Sequence, residues 1–529
     1  MKVSQLSISS GYHLNNSHAV IEYFDHLPSQ RVLPTVQPGY LRPQLPDEAP
    51  QHGEEWSRIQ ADIESKIKPG LTHWQSPNFM AFYPANVSYP SILGEMYSAA
   101  FTAPAFNWLC SPACTELETI VMDWLCRALA LPECFLSTSD TRGGGVIQVS
   151  ASDAIAAVTI AARERRVNEL VIQTDNNIKQ GTPEYEDRVM ELRPRLVALG
   201  SDQTHSSTAK AALIAGTRYR TISTRLEDNM EMTGAALRKV LEQCEKDRLI
   251  PYYITLSMGT TSTCALDRFA EITAVLDEKP SWRSIWVHVD AAYAGSALIL
   301  PEWQHIAQQF AQGVDSFNMN MHKWLLVNFD AGYESLASDC LYSFLTISND
   351  YYYRCLFVRN RSHLTSALDI TPIYLRNHYS DTEQVIDYRN WQISLGRRFR
   401  ALKIWFVMRS YGIDGMQAHI RKSITLGDVF ADLVRSRSDL FELLTRPAFG
   451  LTVLRVKRQS ESADADSSLT TKVSERINSD GQIFVTFTKV AGVGAIRFVN
   501  GNIQGDEAHI RRAFDILTST TEDVIRQSS

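Results

Sequence analysis

The chain holds 529 residues, 44% of them hydrophobic and 10% aromatic, with a formal net charge of −7. That length exceeds what one hydrophobic core serves and predicts a multi-domain globular protein, while so mild a negative charge excludes a dedicated nucleic-acid binder and a polybasic membrane arm. Eight cysteines without a Cys-x-x-Cys pair, a start (MKVSQLSISSGYHLNN) without basic-then-apolar order, and no apolar run of membrane-spanning length lead us to expect a cytoplasmic protein with no metal.

The first apolar residues recur at helical spacing (Val20, Ile21, Phe24, Leu27). The proline-punctuated RVLPTVQPGYLRPQLPDEAP then runs extended and gives way to the helix-like WSRIQADIESKI. With the aromatic-rich loop LTHWQSPNFMAFYPANVSYP, this makes 1–98 an arm rather than a closed domain. From Ala99 onward, helices alternate with short apolar runs. CTELETIVMDWLCRAL, DAIAAVTIAARERRV and ALRKVLEQCEKDR read as helices; VIQVS, LVALGS, YRTIS, YYITLSM, IWVHVDA and SFNMN read as strands. The alternation predicts an α/β domain over 99–390 with a mostly parallel sheet, whose ligand site lies at the carboxyl ends of the strands. A smaller α+β domain is expected over 391–529, with helices in GRRFRALKIWFVMRSYG and HIRKSITLGDVFADLVR and antiparallel strands in TVLRVK, FVTFTKV and AIRFVN. The polar RQSESADADSS reads as a flexible loop.

Four strand-end features carry chemistry. Gly143–Asp153 (GGGVIQVSASD) is a glycine turn, a strand, and small residues opening a helix, where free N–H groups make a phosphate site; Ser-x-Ser there is by itself an ordinary N-cap. SDQTHSS places His205 just after a strand, and WVHVDAAY ends an apolar strand in Asp290, with small Ala291 and Ala292 leaving room for a flat ring. SFNMNMHKWLLVNFD sets Lys323 beside an apolar run. A lone lysine there normally snorkels; the alternative is an amine kept as a nucleophile toward a carbonyl.

In this combination and order, the chain resembles the pyridoxal-phosphate-dependent group II amino-acid decarboxylases, most closely the aromatic-L-amino-acid decarboxylases. PGYLRP, SPACTELE, GGGVIQ, SDQTHSS, HVDAAYAGSA, HKWLLVNFD and DYRNWQISLGRRFRALK carry the resemblance over nearly the whole length. It implies fold type I (a large α/β domain, a small C-terminal domain and an N-terminal arm), pyridoxal 5′-phosphate as cofactor, and a homodimer with shared active sites. It further implies that Lys323 bonds the cofactor's aldehyde, Asp290 pairs with the ring nitrogen, and His205 and Ala292 flank the ring with Thr261 nearby. Ser150, Ala151, Ser152 and Asn320 would hold the phosphate, with His322 close by. Tyr374, in TPIYLRNHYSDTEQ, would return a proton to the substrate's Cα. Related aldehyde synthases carry Phe there, so Tyr374 favours plain decarboxylation to an amine. Trp74, Phe82 and Tyr83, with Pro104 and Phe106 from a partner chain, suit an aromatic substrate and offer no cation for an acidic one. Gly396 resembles tryptophan-accepting members, and Ala85 departs from relatives that carry threonine. The substrate expectation is therefore tryptophan, with tyrosine, phenylalanine and dopa as alternatives. A catalytically impaired member serving as a dimerisation partner is the other reading, and the presence of Lys323, Asp290, His205 and Tyr374 weighs against it.

Tyr333–Arg354 departs from the family pattern, and its removal restores FDAG-CLFVRNR. Loops beyond about 12–15 residues are uncommon inside compact domains. Codons at both ends allow a GT…AG frame, so the segment reads as a retained intron or, alternatively, as an insertion at the active-site rim.

Overall fold

The computed structural model describes residues 19–329, 354–382, 384–457 and 463–528. The added segment Tyr333–Arg354 lies outside them save for its last residue. By packing, Ala85–Thr425 and Thr445–Leu451 form one unit, and the arm up to Pro84 groups with Leu426–Leu444 and Thr452–Ser529 in another. This division differs from boundaries at 98 and 390 because hydrogen bonds tie the arm to the C-terminal region. Val32 N–H donates to the Gly481 carbonyl at 3.1 Å, Met80 N–H to that of Phe484 at 2.9 Å, and Arg31 Nη1 to that of Asp480 at 2.6 Å.

The larger unit is built on seven strands: β1 (Gly144–Gln148), β2 (Leu196–Ser201), β3 (Arg218–Ile222), β4 (Ile250–Ser257), β5 (Trp286–Asp290), β6 (Ser316–Met319) and β7 (Arg354–Val358). They lie in the order β1-β7-β6-β5-β4-β2-β3. Pairs from β3 through β6 are parallel, and β7 runs antiparallel to both β1 and β6. Strands β1, β2 and β5 are buried along their whole length, as strands covered by helices on both faces must be. Helix Ala151–Thr174 presses Ala154, Ala157, Val158 and Ala161 into a core shared with Val146, Ala198, Trp286 and Leu356. Since β1, β2, β4, β5 and β6 all point one way, their carboxyl ends share one edge.

The other unit holds a four-stranded sheet, β8 (Phe441–Leu443), β9 (Leu451–Val456), β10 (Thr486–Val490) and β11 (Val493–Val499), in the order β10-β11-β9-β8. Phe430 stacks on Phe498 at 3.5 Å in its core. The expected loop RQSESADADSS is corrected in part: Ala463–Asp480 is a helix, and 458–462 lie outside the described residues. Leu469, Val473 and Ile477 recur every four residues and are buried, which draws the polar stretch before them into the same helix. The two helices expected after Gly396 are the segment Ala401–Ser436, broken at Gly412, whose φ of 65° and ψ of 176° are not helical. Among the described residues no helix is long and apolar enough to cross a membrane, and no cluster of side chains could hold a metal ion.

Candidate active site

At the end of β1, Ser150 caps helix Ala151–Thr174, its Oγ accepting from the Asp153 N–H at 2.9 Å. Ser150 and Ala151 are buried and Ser152 is half-buried. A helix of this length concentrates partial positive charge at its first turn, which suits a phosphate.

After β2, His205 is the N-cap of helix Ser206–Ile214. Its Nδ1 accepts from the Ser207 N–H at 3.2 Å and lies 2.8 Å from Ser207 Oγ. A ring nitrogen that accepts from an amide carries no proton, so a neutral ring bears its hydrogen on Nε2. After β4, Thr261 is exposed, while its neighbour Thr260 is buried and uses its hydroxyl within the turn.

Asp290 closes β5 and is 8% exposed. Its Oδ1 accepts from the Ala292 N–H and from Asn318 Nδ2, both at 3.1 Å, which leaves Oδ2 as the oxygen a ligand donor can use. Asp267 fixes the neighbouring strand end by accepting from the Ser257 N–H at 2.7 Å and the Met232 N–H at 2.8 Å. Burial pushes that carboxyl up to about 7. Asn320 follows β6. It is fully buried, and neither its amide nitrogen nor its oxygen has a hydrogen-bond partner among the described residues. Such a side chain costs roughly 1–3 kcal/mol unless something binds it.

Lys323 lies half-buried in the short helix Met321–Trp324, between the buried His322 and Trp324. The turn after this helix is held from outside. Leu326 adopts φ 63°, unusual for a branched side chain, and its carbonyl accepts from Ser88 Oγ at 2.6 Å. The His322 carbonyl accepts from the Asn86 N–H at 2.6 Å, and His419 Nε2 lies 3.2 Å from Asn86 Oδ1. Tyr293 stacks on Trp324 at 4.6 Å. Sequence reasoning missed Asn318, Asn86 and Ser88. Only Asn318 left a signal: it is a polar residue facing the same way as Ser316 and Asn320 in an otherwise apolar strand.

The edge of one sheet thus gathers Ser150, Ala151, His205, Asp290, Ala292, Asn320, His322 and Lys323. The family model described as pyridoxal-dependent decarboxylase conserved domain matches residues 38–338 and 347–457. The chain belongs to the pyridoxal-dependent decarboxylase family. This decarboxylase is 38% identical over 509 residues to the aromatic-L-amino-acid decarboxylase of Rattus norvegicus, covering 96% of each chain. It superposes on the crystal structure of Oryza sativa TDC with PLP and tryptamine with a TM-score of 0.86, at 33% identity over 99% of both chains. With the crystal structure of Rhodiola rosea 4-hydroxyphenylacetaldehyde synthase the TM-score is 0.83, at 32% identity over 99% of both chains. The fold is type I, and the cofactor of the decarboxylase is pyridoxal phosphate. The edge fits that group: a buried amide at Asn320 without a partner among the described residues and a helix N-terminus for a phosphate, a carboxylate oxygen for a ring nitrogen, and an amine for an aldehyde.

The remaining expected residues come from segments other than these strand ends. Tyr374 lies in the turn Ile373–Leu375 at 78% exposure, beside the still more exposed Ile370 and Ile373. Pro104 is exposed, Phe106 and Ala85 are half-buried, and a Cβ on the exposed Gly396 would meet nothing within 4 Å. Trp74, Phe82 and Tyr83 belong to the other unit, where Trp74 stacks on Phe82 at 5.6 Å and Arg497 lies over Tyr83 at 5.0 Å.

Proposed function

We propose that this decarboxylase converts an aromatic L-amino acid, tryptophan foremost, to its arylalkylamine and CO2 in the cytoplasm, as a homodimer with shared active sites. When bound, pyridoxal phosphate supplies an aldehyde carbon that bonds an amine and a ring that accepts the electron pair left by departing CO2. Lys323 would supply the amine that holds the aldehyde. Asp290 Oδ2 would accept from the ring nitrogen and so favour its protonated, electron-withdrawing form. His205 and Ala292 would flank the ring, with Thr261 nearby. Ser150, Ala151, Ser152, Asn320 and His322 bind and orient the phosphate.

Tyr374 delivers a proton to Cα, and its exposure in the free chain suits a residue that moves to the substrate. Trp74, Phe82, Tyr83, Ala85 and Gly396, with Pro104 and Phe106 from a partner chain, shape the aromatic pocket. The observation that carries the reading is the placement of Asp290, with Oδ1 saturated and Oδ2 available, on the strand edge that also carries Lys323. Borohydride reduction of the holoenzyme followed by peptide mapping tests it, with phosphopyridoxyl expected on Lys323; an unmodified Lys323 ends the reading. Amine and hydrogen peroxide, followed together across tryptophan, tyrosine, phenylalanine and dopa, rank the substrates. Peroxide equal to product would replace decarboxylation with the aldehyde-forming reaction named in the Rhodiola neighbour.

A further inference from the structure

Behind Asp290 lies a run of buried polar groups to which the decarboxylation chemistry assigns no part. Trp286 Nε1 donates to Ser316 Oγ at 2.7 Å, and Ser316 Oγ lies 2.8 Å from His288 Nδ1. His288 Nε2 is 2.6 Å from Asn318 Oδ1, and Asn318 Nδ2 donates to Asp290 Oδ1 at 3.1 Å. His288, Ser316 and Asn318 are fully buried and Trp286 nearly so. Register explains the juxtaposition: His288 pairs with Ser316 and Asp290 with Asn318 across the parallel strands β5 and β6. Tyr253 covers the His288 ring at 6.1 Å.

The two ends of this run fix every hydrogen in it. An indole nitrogen can only donate, and a carboxylate can only accept. Ser316 Oγ, already accepting from Trp286, turns its own hydrogen to His288 Nδ1. His288 then carries its proton on Nε2 and gives it to Asn318 Oδ1, which leaves the amide nitrogen facing Asp290. A doubly protonated His288 would put two donors on Ser316 Oγ and leave the hydroxyl hydrogen without an acceptor. The neutral ring is the form the geometry accepts.

We infer that His288 is a positioning residue acting through Asn318: a one-way hydrogen-bond chain from Trp286 locks the Asp290 carboxylate with Oδ1 inward and Oδ2 toward the cofactor's ring nitrogen. The inference rests on the reading that Asp290 meets that nitrogen. Asp290 lies at a strand end, where among the described residues its side chain is otherwise held only by the Ala292 N–H. With Asn318 in place, the donors on Oδ1 come from two directions, so rotation of the carboxylate loses a bond to a charged group.

The test compares His288→Asn, His288→Gln, Asn318→Ala, His288→Asn/Asn318→Ala and Asp290→Asn in full-length protein. The readouts are pyridoxal phosphate affinity, the visible spectrum of the bound cofactor, and melting of the cofactor-free form. Glutamine places its amide near the Nε2 position and keeps the bond to Asn318, whereas asparagine is too short. His288→Asn should weaken cofactor binding about tenfold or more, the size of one hydrogen bond to a charged group, and shift the visible band. His288→Gln should stay within about threefold of the parent. The double variant should bind no more weakly than Asn318→Ala alone, because His288 acts only through Asn318. Additive losses, or unchanged affinity and spectrum in His288→Asn, overturn the inference. If Asp290→Asn itself leaves binding and spectrum intact, the failure belongs to the reading of Asp290. Selective 15N-histidine labelling of the unaltered protein gives a check that needs no variant: Nε2-protonated His288 is expected, and Nδ1-protonated or charged His288 refutes the chain.

Discussion

Replacing Asp290 by asparagine isolates charge from shape. The side chain is isosteric, and its oxygen can keep both donors now on Oδ1, the Ala292 N–H and Asn318 Nδ2. The amide nitrogen then falls where Oδ2 was and donates toward the ring nitrogen, holding it unprotonated. At 8% exposure the carboxylate is screened far less than in water. An effective dielectric of about 20 at about 4 Å gives an interaction of ~4 kcal/mol with a protonated ring. At 1.36 kcal/mol per factor of ten, that corresponds to about three powers of ten in rate. Single-turnover CO2 release, at cofactor concentrations that saturate the variant, separates chemistry from binding. A loss of less than about tenfold, or one that excess cofactor abolishes, would refute the assignment of Asp290 to the chemical step.

Asn320→Ala removes a buried amide with no partner among the described residues, so the cofactor-free protein should melt at the same temperature or higher, while pyridoxal phosphate affinity falls about tenfold; an unchanged affinity in titration would remove Asn320 from the phosphate site. Burial lowers His288 to about 4 from an ordinary 6.5, so below pH 6.5 the unfolded chain binds a proton that the native one refuses. The resulting stability loss grows as pH falls from 6.5 to about 4 and reaches about 3 kcal/mol. The stability difference between the parent and His288→Gln, measured by urea unfolding, should shift by that amount in favour of the variant over this window, and a pH-independent difference would contradict it. Gly145→Ala on β1 would bring a Cβ within 2.5 Å of Met122 Cε and 2.8 Å of Phe357 Cε1, both in side chains packed in the core. Overpacking of this kind costs about 1–3 kcal/mol, so the melting temperature should fall by about 1–3 °C in a chain of this size, and an unchanged value would mean the sheet yields freely there.

Local pattern reaches as far as local forces do. The apolar runs that form β2, β4 and β5 stand out because strands covered on both faces must be apolar, and polar residues at strand ends (Asp290, Asn320) stand out by contrast. Lys323 is legible for the same reason. What holds its loop is not: Ser88 reaches Leu326 across 238 positions, and nothing in either stretch announces the other. The helix from Ala463 escapes the pattern because its first turns are polar and its drive comes from Leu469, Val473 and Ile477 further on. Tyr374 comes from motif order alone, and no local pattern marks the exposed turn that carries it.

His288 is the instructive case, because its signal is present and general. It shares a strand face with Asp290, two positions on, and β5 is buried throughout, so it cannot be a surface histidine. A polar residue in that position must have a partner. The partner has to come from a neighbouring strand, and β6 offers Ser316 and Asn318 at the same two-residue interval. Parallel pairing with a shared carboxyl edge then aligns the two polar pairs, as the register of His288 with Ser316 and Asp290 with Asn318 shows. Matching the spacing of polar residues between adjacent buried strands therefore finds supports of a strand-end carboxylate that motif comparison passes over.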